Sequence, residues 1–128
     1  MPEKITYSLT VQVTGGPKLV ASNTLSVEAY DKTQVTVTAG ATDQTVNIQP
    51  GGAGLAQFVA ITASQYDNGL TYKVNDAGAT AIALNGPHTF IGAGAVGLLN
   101  AAPTALLFGN STAGDITVDI LVGRDATP

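Results

Sequence analysis

The chain contains no cysteine and no tryptophan, and it has few charged residues. Without cysteine, neither a disulfide framework nor a thiolate metal site can form. Charged residues make up 11% of the 128 positions, whereas a typical soluble domain has roughly 25%. Because surface charge keeps free proteins apart, a surface this poor in charge is typical of a protein that packs against copies of itself or against partners.

Positive charge and long apolar runs are also scarce. Lys and Arg together number 5, and the net charge is −4, so no basic stripe is available for nucleic acid and an anionic membrane would repel the chain weakly. The start, Met1-Pro2-Glu3-Lys4, leads straight into alternating sequence, without the apolar run of a signal peptide or of a bilayer span. We therefore predict no nucleic-acid partner, no membrane partner and no N-terminal signal peptide.

The dominant pattern along the chain is alternation of apolar and polar residues with a period of two. The first such run has apolar side chains at Ile5, Tyr7, Leu9, Val11 and Val13, which predicts a half-buried strand. Further alternating runs occur at 24–29, 35–38, 45–49, 70–75 and 116–122, and the more apolar run at 56–63 predicts a central strand. Gly15-Gly16-Pro17, Asp31-Lys32, Asp67-Asn68-Gly69 and Asn85-Gly86-Pro87 predict turns between strands.

These patterns predict an all-β fold made of about nine or ten short strands, at the spacing typical of a sandwich or barrel. We expect a single antiparallel β-sandwich that is jelly-roll-like, with an immunoglobulin-like sandwich as the alternative, because periodicity does not encode strand order. The length of 128 residues indicates one domain. Short terminal arms are expected at about 1–4 and 124–128, the second beginning at Arg124.

One glycine-rich segment matches a nucleotide-binding motif. Gly92-Ala93-Gly94-Ala95-Val96-Gly97 has the spacing G-x-G-x-x-G, and an apolar run precedes it. In a dinucleotide site these glycines let the backbone approach a pyrophosphate at a helix N-terminus. Here a following helix would end before Pro103, and the position expected for a ribose-binding acid falls near Asn110. We therefore interpret the segment as a glycine-rich bend in a β-domain.

Other candidate residues carry weaker signals. His88 is the sole histidine, and Ser64 and Ser111 lie in no nucleophile-elbow sequence. Four aspartates could in principle bind calcium, but their spacing is not that of a calcium loop and Asp is common in turns; they are Asp67, Asp76, Asp115 and Asp119. Asn110-Ser111-Thr112 matches a glycosylation sequon, which we interpret as ordinary loop sequence. We predict no catalytic, cofactor-binding or metal-binding residue, and no enzyme activity.

Several segments of the chain carry a resemblance to one class of proteins. They are the start Met1-Pro2-Glu3-Lys4 and the segments Gln49-Pro50-Gly51-Gly52-Ala53-Gly54, Leu70-Thr71-Tyr72-Lys73-Val74-Asn75-Asp76, Gly86-Pro87-His88 and Ile120-Leu121-Val122-Gly123-Arg124-Asp125. With the Thr/Val alternation and low charge, they resemble small decoration (cement) or other minor structural proteins of tailed-phage virions. The resemblance implies a β-sandwich or jelly roll that binds the outside of a capsid lattice as a homotrimer or another symmetric cluster. It assigns no functional residue.

The function we expect is that of a non-enzymatic virion structural protein, with capsid decoration as first choice. Its partners would be the major capsid protein lattice or other virion proteins, and copies of itself, with a trimer favoured; it would reach the virion from the host cytoplasm. The alternative is a ligand-binding module for carbohydrate or a receptor, as a tail or fibre component. Against this alternative, tryptophan is absent and only Tyr30 and Tyr66 lie near predicted turns. A nucleotide binder ranks last.

Overall fold

The computed structural model describes residues 3–49, 55–100 and 103–125 of the chain. Within them the backbone forms ten β-strands and one short helix. In chain order the elements are β1 (Glu3–Gln12), β2 (Lys18–Val27), β3 (Ala29–Val37), β4 (Gln44–Asn47), β5 (Leu55–Ala63), β6 (Leu70–Val74), β7 (Ile82–Ala83), β8 (His88–Ile91), α1 (Ala93–Val96), β9 (Ala105–Asn110) and β10 (Ile116–Asp125). In the ranges described, no helix is long and apolar enough to cross a bilayer.

Strands β3 to β10 pair in a nested order. β3 pairs with β10, β4 with β9, β5 with β8 and β6 with β7, and every pair is antiparallel. Successive pairs alternate between two four-stranded sheets, whose orders are β3-β10-β5-β8 and β4-β9-β6-β7. One long antiparallel double strand wrapped in this way is a jelly roll. The predicted all-β sandwich is confirmed, and this order differs from that of an immunoglobulin-like sandwich.

The core lies between the two sheets and is built from the inward side of each alternating strand. On β10, Ile116, Val118, Ile120 and Val122 are buried, whereas the residues between them are half-buried. The same alternation on β6 buries its first, third and fifth residues. The largest fully buried side chains are Tyr72, Phe108, Ile48, Ile61, Leu70, Leu84, Leu106, Ile116 and Ile120.

Strand β3 contains the dipeptide Asp31-Lys32, which the sequence predicted to be a turn. That prediction is wrong, because both residues pair with β10 across the sheet. Arg124 Nε donates a hydrogen bond to Asp31 Oδ2 at 3.0 Å, and the two side chains are only 7% and 12% exposed. This long-range ion pair holds Asp31 in the strand and overrides its local preference for a turn.

Part of each segment predicted to be a terminal arm belongs to a strand. Glu3 and Lys4 belong to β1, and Arg124 and Asp125 belong to β10, in which Arg124 is buried. The rest of each predicted arm, residues 1–2 and 126–128, lies outside the described residues.

Strands β1 and β2 form a separate two-stranded sheet. Ten residue pairs join them, from Glu3 opposite Val27 to Gln12 opposite Lys18. The turn between them closes with a hydrogen bond from Val13 N to Pro17 O at 2.9 Å, and Gly15 has a φ of +72° that favours glycine. We call residues 3–27 the ribbon. The ribbon extends from the sandwich. Among the described strands that follow each other directly in the chain, β1 and β2 share the most residue pairs.

Candidate functional site

The glycine-rich segment 92–97 forms a bend and a single helical turn. Gly92 follows β8 with a φ of +91°, and its N–H donates to Gln57 O at 2.7 Å. Helix α1 then covers only Ala93–Val96 and buries Val96 in the core. A dinucleotide site needs a crossover helix at whose N-terminus the phosphates lie. This segment instead turns the chain from the sheet edge back into the sandwich.

The four aspartates considered as calcium ligands do not come together. Each carboxylate accepts a hydrogen bond from a donor in its own neighbourhood: Asp67 from Gly69 N, Asp76 from Gly78 N, Asp115 from Ala39 N and Asp119 from Gln34 Nε2. The first two are turn-forming contacts, as expected for aspartate before glycine. Across the described ranges, no group of three or more metal-ligating side chains is arranged to hold an ion.

Asn110 of the sequon is a structural residue. Its side chain is 1% exposed. Its Nδ2 donates to Val37 O at 3.0 Å and to Gly114 O at 2.9 Å, and its Oδ1 accepts from Thr112 N at 2.9 Å and from Thr112 Oγ1. With its amide group fully used inside the fold, Asn110 ties the end of β9 to β3 and to the following loop.

His88 lies at the start of β8 rather than in an exposed turn. Its Nδ1 is 2.7 Å from the Tyr72 hydroxyl oxygen, and its ring packs edge-on against those of Tyr72 and Phe90. Burial lowers the pKa of His88 and raises that of Tyr72, so it favours the neutral form of both side chains, which share this hydrogen bond. The pair links the two sheets beside a cleft of about 390 Å³ that Leu98 and Leu99 also line.

A second cleft, of about 400 Å³, opens beside β4, β6 and β9. Lys73 Nζ lies 3.0 Å from Asp43 Oδ1 within it. Asn68, Thr71 and Ser111 supply further polar groups to the lining. The cleft can hold a small polar molecule.

Exposed tyrosines do not form a platform for sugar stacking. Tyr72 is fully buried and Tyr7 is half-buried, whereas Tyr30 is 54% and Tyr66 is 37% exposed. Tyr30 lies opposite Gly123 near the end of β10, and Tyr66 follows Ser64, whose N–H donates to Thr117 O near the start of β10. At about 3.3 Å per residue the two rings are separated by about 20 Å along the sheet.

The ribbon has one apolar face and one polar face. Residues directly opposite in an antiparallel pair share a face, and odd-numbered residues of β1 face odd-numbered residues of β2. The apolar face therefore consists of Ile5, Tyr7, Leu9, Val11, Leu19, Ala21, Leu25 and Val27, with Asn23 opposite Tyr7. The polar face consists of Lys4, Thr6, Ser8, Thr10, Gln12, Lys18, Val20, Ser22, Thr24 and Ser26.

The root of the apolar face packs on the outer side of the sheet that contains β10. A Cβ built on Gly123 would lie 2.5 Å from Ile5 Cδ1, 3.2 Å from Val27 Cγ1 and 3.4 Å from Phe58 Cβ. Glycine at position 123 therefore leaves just enough room for the ribbon to lie on the sheet. Val27 and Phe58 are both buried, and the contact holds the ribbon to the domain.

Beyond its root the apolar face is uncovered. Leu9 is 43%, Val11 51% and Leu19 63% exposed, and every residue from 8 to 24 is exposed to solvent. The ribbon contacts the rest of the domain chiefly through the root, where β2 meets β10. A half-covered apolar face that leaves its own domain is the main candidate for a functional surface in the described chain.

No protein-family model and no curated protein matches this chain. The alternation in residues 5–13 makes the ribbon amphipathic, but by itself it predicts a half-buried strand. The available signal was the match in alternation between residues 5–13 and 19–25 across Gly15-Gly16-Pro17, which defines a long, one-sided hairpin.

Proposed function

We propose that this chain is a non-enzymatic structural protein of a virion, and that it binds and stabilises the head lattice of a tailed phage as a decoration protein. The observation that carries the proposal is the ribbon, whose apolar face continues about 20 Å beyond its root. A two-stranded ribbon alone is marginally stable in water. A ribbon with an apolar face that extends from its domain is suited to pack against another protein.

The jelly roll is compatible with this role without deciding it. Viral capsid domains and lectins both use the fold, and function depends on the surface that a fold carries. The chain's 5 basic residues and net charge of −4 favour a protein partner over nucleic acid. The partners we propose are the major capsid protein lattice or other virion proteins, together with copies of this chain, in a trimer by preference. The location is the virion, after assembly in the host cytoplasm.

A decoration protein stabilises a shell by bridging neighbouring subunits. Each copy makes contacts of modest area, and the symmetry of the shell multiplies them. The sandwich and the ribbon have different roles in this proposal. Gly123 and Phe58 of the sandwich hold Val27 at the root of the ribbon, and the exposed part of the ribbon binds the partner.

Immunogold electron microscopy tests the proposal. Virus particles whose genome encodes this chain are purified on a density gradient and labelled with antibodies against the purified protein. We expect regular labelling over the heads, and no labelling when the antibody is first adsorbed with the protein. Unlabelled particles, or label confined to tails, would contradict head decoration.

The second candidate function is a ligand-binding module, and the polar cleft at Asp43 and Lys73 favours it. Its volume of about 400 Å³ lies within the range of small-molecule sites. The separation of Tyr30 and Tyr66 counts against a stacked sugar. Glycan-array binding that Lys73→Met abolishes and Lys32→Met preserves would support this candidate. Equal binding by the two variants would remove it.

A further inference from the structure

We propose that the apolar face of the ribbon packs against the ribbons of other copies of this chain, so that the ribbon is the contact through which the protein assembles with itself. The inference deepens the proposed function, because it names the partner of the surface on which that function rests. It is tested separately, since self-association needs no capsid.

The apolar face is continuous from its covered root to its exposed end. At the root, Ile5 and Val27 pack on Gly123 and Phe58 of their own domain. Farther out, Leu9, Val11 and Leu19 repeat the same aliphatic chemistry and are about half exposed or more. The domain buries only the half of the face next to the root. Another molecule is therefore needed to bury the half that is farther from the root.

The chemistry of the face suits an identical face. From Ile5 to Leu25 it carries no charged side chain, because Lys4 and Lys18 point to the opposite side of the ribbon. A partner with a charged surface would find nothing to pair with here. An aliphatic face packed on the ribbon of another copy buries apolar surface on both molecules and leaves no charge on this face unpaired.

The edges of the ribbon are also free. In the described part of the chain, β1 pairs with β2 alone, and β2 with β1 alone. Unpaired strand edges present N–H and C=O groups that pair readily with the edge of another ribbon. Charged residues, which would blunt such an edge, are few in the ribbon and stand at the first positions of its strands: Glu3, Lys4 and Lys18.

The area of the face favours a closed ring over a pair. Its exposed part is about 20 Å long and about 10 Å wide across two strands, or about 200 Å². A stable interface buries roughly 800 Å² from each partner, so one face on one face is a weak contact. In a ring, each ribbon contacts two neighbours with its face and both edges, and all the contacts close together.

Light scattering on two double variants tests the contact. Val11 and Leu19 lie directly opposite each other on the apolar face, and Thr10 and Val20 lie opposite each other on the polar face. Val11→Glu with Leu19→Lys places a cross-strand ion pair on the apolar face, which keeps the hairpin paired. Thr10→Glu with Val20→Lys places the same two charges one residue away, on the other face.

We expect the natural protein to have a mass that is a multiple of 12.9 kDa. The apolar-face variant should fall to 12.9 kDa, and the polar-face variant should keep the natural mass. Circular dichroism and the thermal midpoint, measured at one protein concentration, check that both variants fold. A natural protein that is monomeric at 100 µM, or a multimer that both variants dissolve or both preserve, would overturn the inference.

Cysteine cross-linking provides a second measurement, because the natural chain has no cysteine. Val11→Cys should be joined between copies by a short bismaleimide, whereas Thr10→Cys should not. Equal cross-linking of the two would also overturn the inference. If the protein assembles through the ribbon but is absent from virions, the proposed function is refuted and the inference stands. If it is a monomer but is found on virus heads, the inference is refuted and the proposed function stands.

Discussion

Substitution of Gly123 by alanine should loosen the root of the ribbon. The new Cβ would lie 2.5 Å from Ile5 Cδ1, a distance that real Cβ atoms do not tolerate, and it would also press on Val27 and Phe58. Ile5 Cδ1 is the flexible end of its side chain and can move. Val27 and Phe58 are buried and have less freedom to move.

The size of the effect follows from two opposing terms. Overpacking a well-packed site by one methyl group costs about 1–3 kcal/mol. Alanine in place of glycine recovers about 0.4–1 kcal/mol through the unfolded chain, because the backbone of Gly123 is in a conformation that alanine also adopts. The net loss of unfolding free energy should be about 1–2 kcal/mol, or about 3–8 °C in the thermal midpoint for a domain of this size.

A double-mutant cycle with Ile5→Val locates the clash. Ile5→Val removes the methyl group that stands 2.5 Å from the new Cβ, and at this half-buried site it should cost about 0.5 kcal/mol alone. In the Gly123→Ala background the same change should restore about 1 kcal/mol, a coupling of the kind seen between contacting residues. Urea unfolding followed by circular dichroism, at one protein concentration, measures all four proteins.

Gly114→Ala is the matched control. Its Cβ would meet no atom within 4 Å, so its midpoint should equal or slightly exceed that of the natural protein. Additive effects of Gly123→Ala and Ile5→Val, or a Gly123→Ala midpoint within 1 °C of the natural protein, would refute the packing of the ribbon root on the sheet.

Three further predictions concern polar contacts inside the sandwich. Arg124→Met should lower the free energy of unfolding by about 3 kcal/mol in urea titration, because it leaves the Asp31 carboxylate buried without its partner; a smaller loss than for Lys32→Met, whose side chain is 64% exposed, would contradict this. Burial lowers the pKa of His88 from 6.5, so stability should be complete above about pH 6.5 and fall as the pH drops below it; thermal midpoints in His88→Gln should lose this slope, and a slope that persists would disprove it. Asn110→Asp should cost about 2–4 kcal/mol, because it replaces donors to Val37 O and Gly114 O with acceptors; an unchanged unfolding midpoint would refute this role.

Strands whose residues alternate strictly were predictable from the sequence. The runs at 70–75 and 116–122 correspond to β6 and β10, and the apolar run at 56–63 corresponds to β5, which lies between β10 and β8. In these strands the inward side chains pack in the core, so the local pattern and the tertiary environment agree. The turn predicted at Asp31-Lys32 was wrong because Asp31 pairs with Arg124, which lies far along the chain.

The candidate surface was less predictable. Alternation in β1 and β2 shows that the ribbon has two unlike faces, but it does not show whether another element covers the apolar one. The contact between Tyr72 and His88 was also hidden, because the residues stand 16 positions apart on strands of different sheets. Nested pairing brings such residues together, and strand order is not written in periodicity.

Nested pairing also determines the order in which the parts of the molecule can form. Gln34 and Asp119, joined by a hydrogen bond between β3 and β10, are 85 positions apart, and β10 lies in the middle of its sheet. That sheet cannot close until β10 has left the ribosome, and closure of such distant contacts is slow. The ribbon needs only residues 3–27 and can pair in about 1–10 µs. Nascent chains on neighbouring ribosomes therefore expose a ribbon that pairs only transiently while their sandwiches are still incomplete.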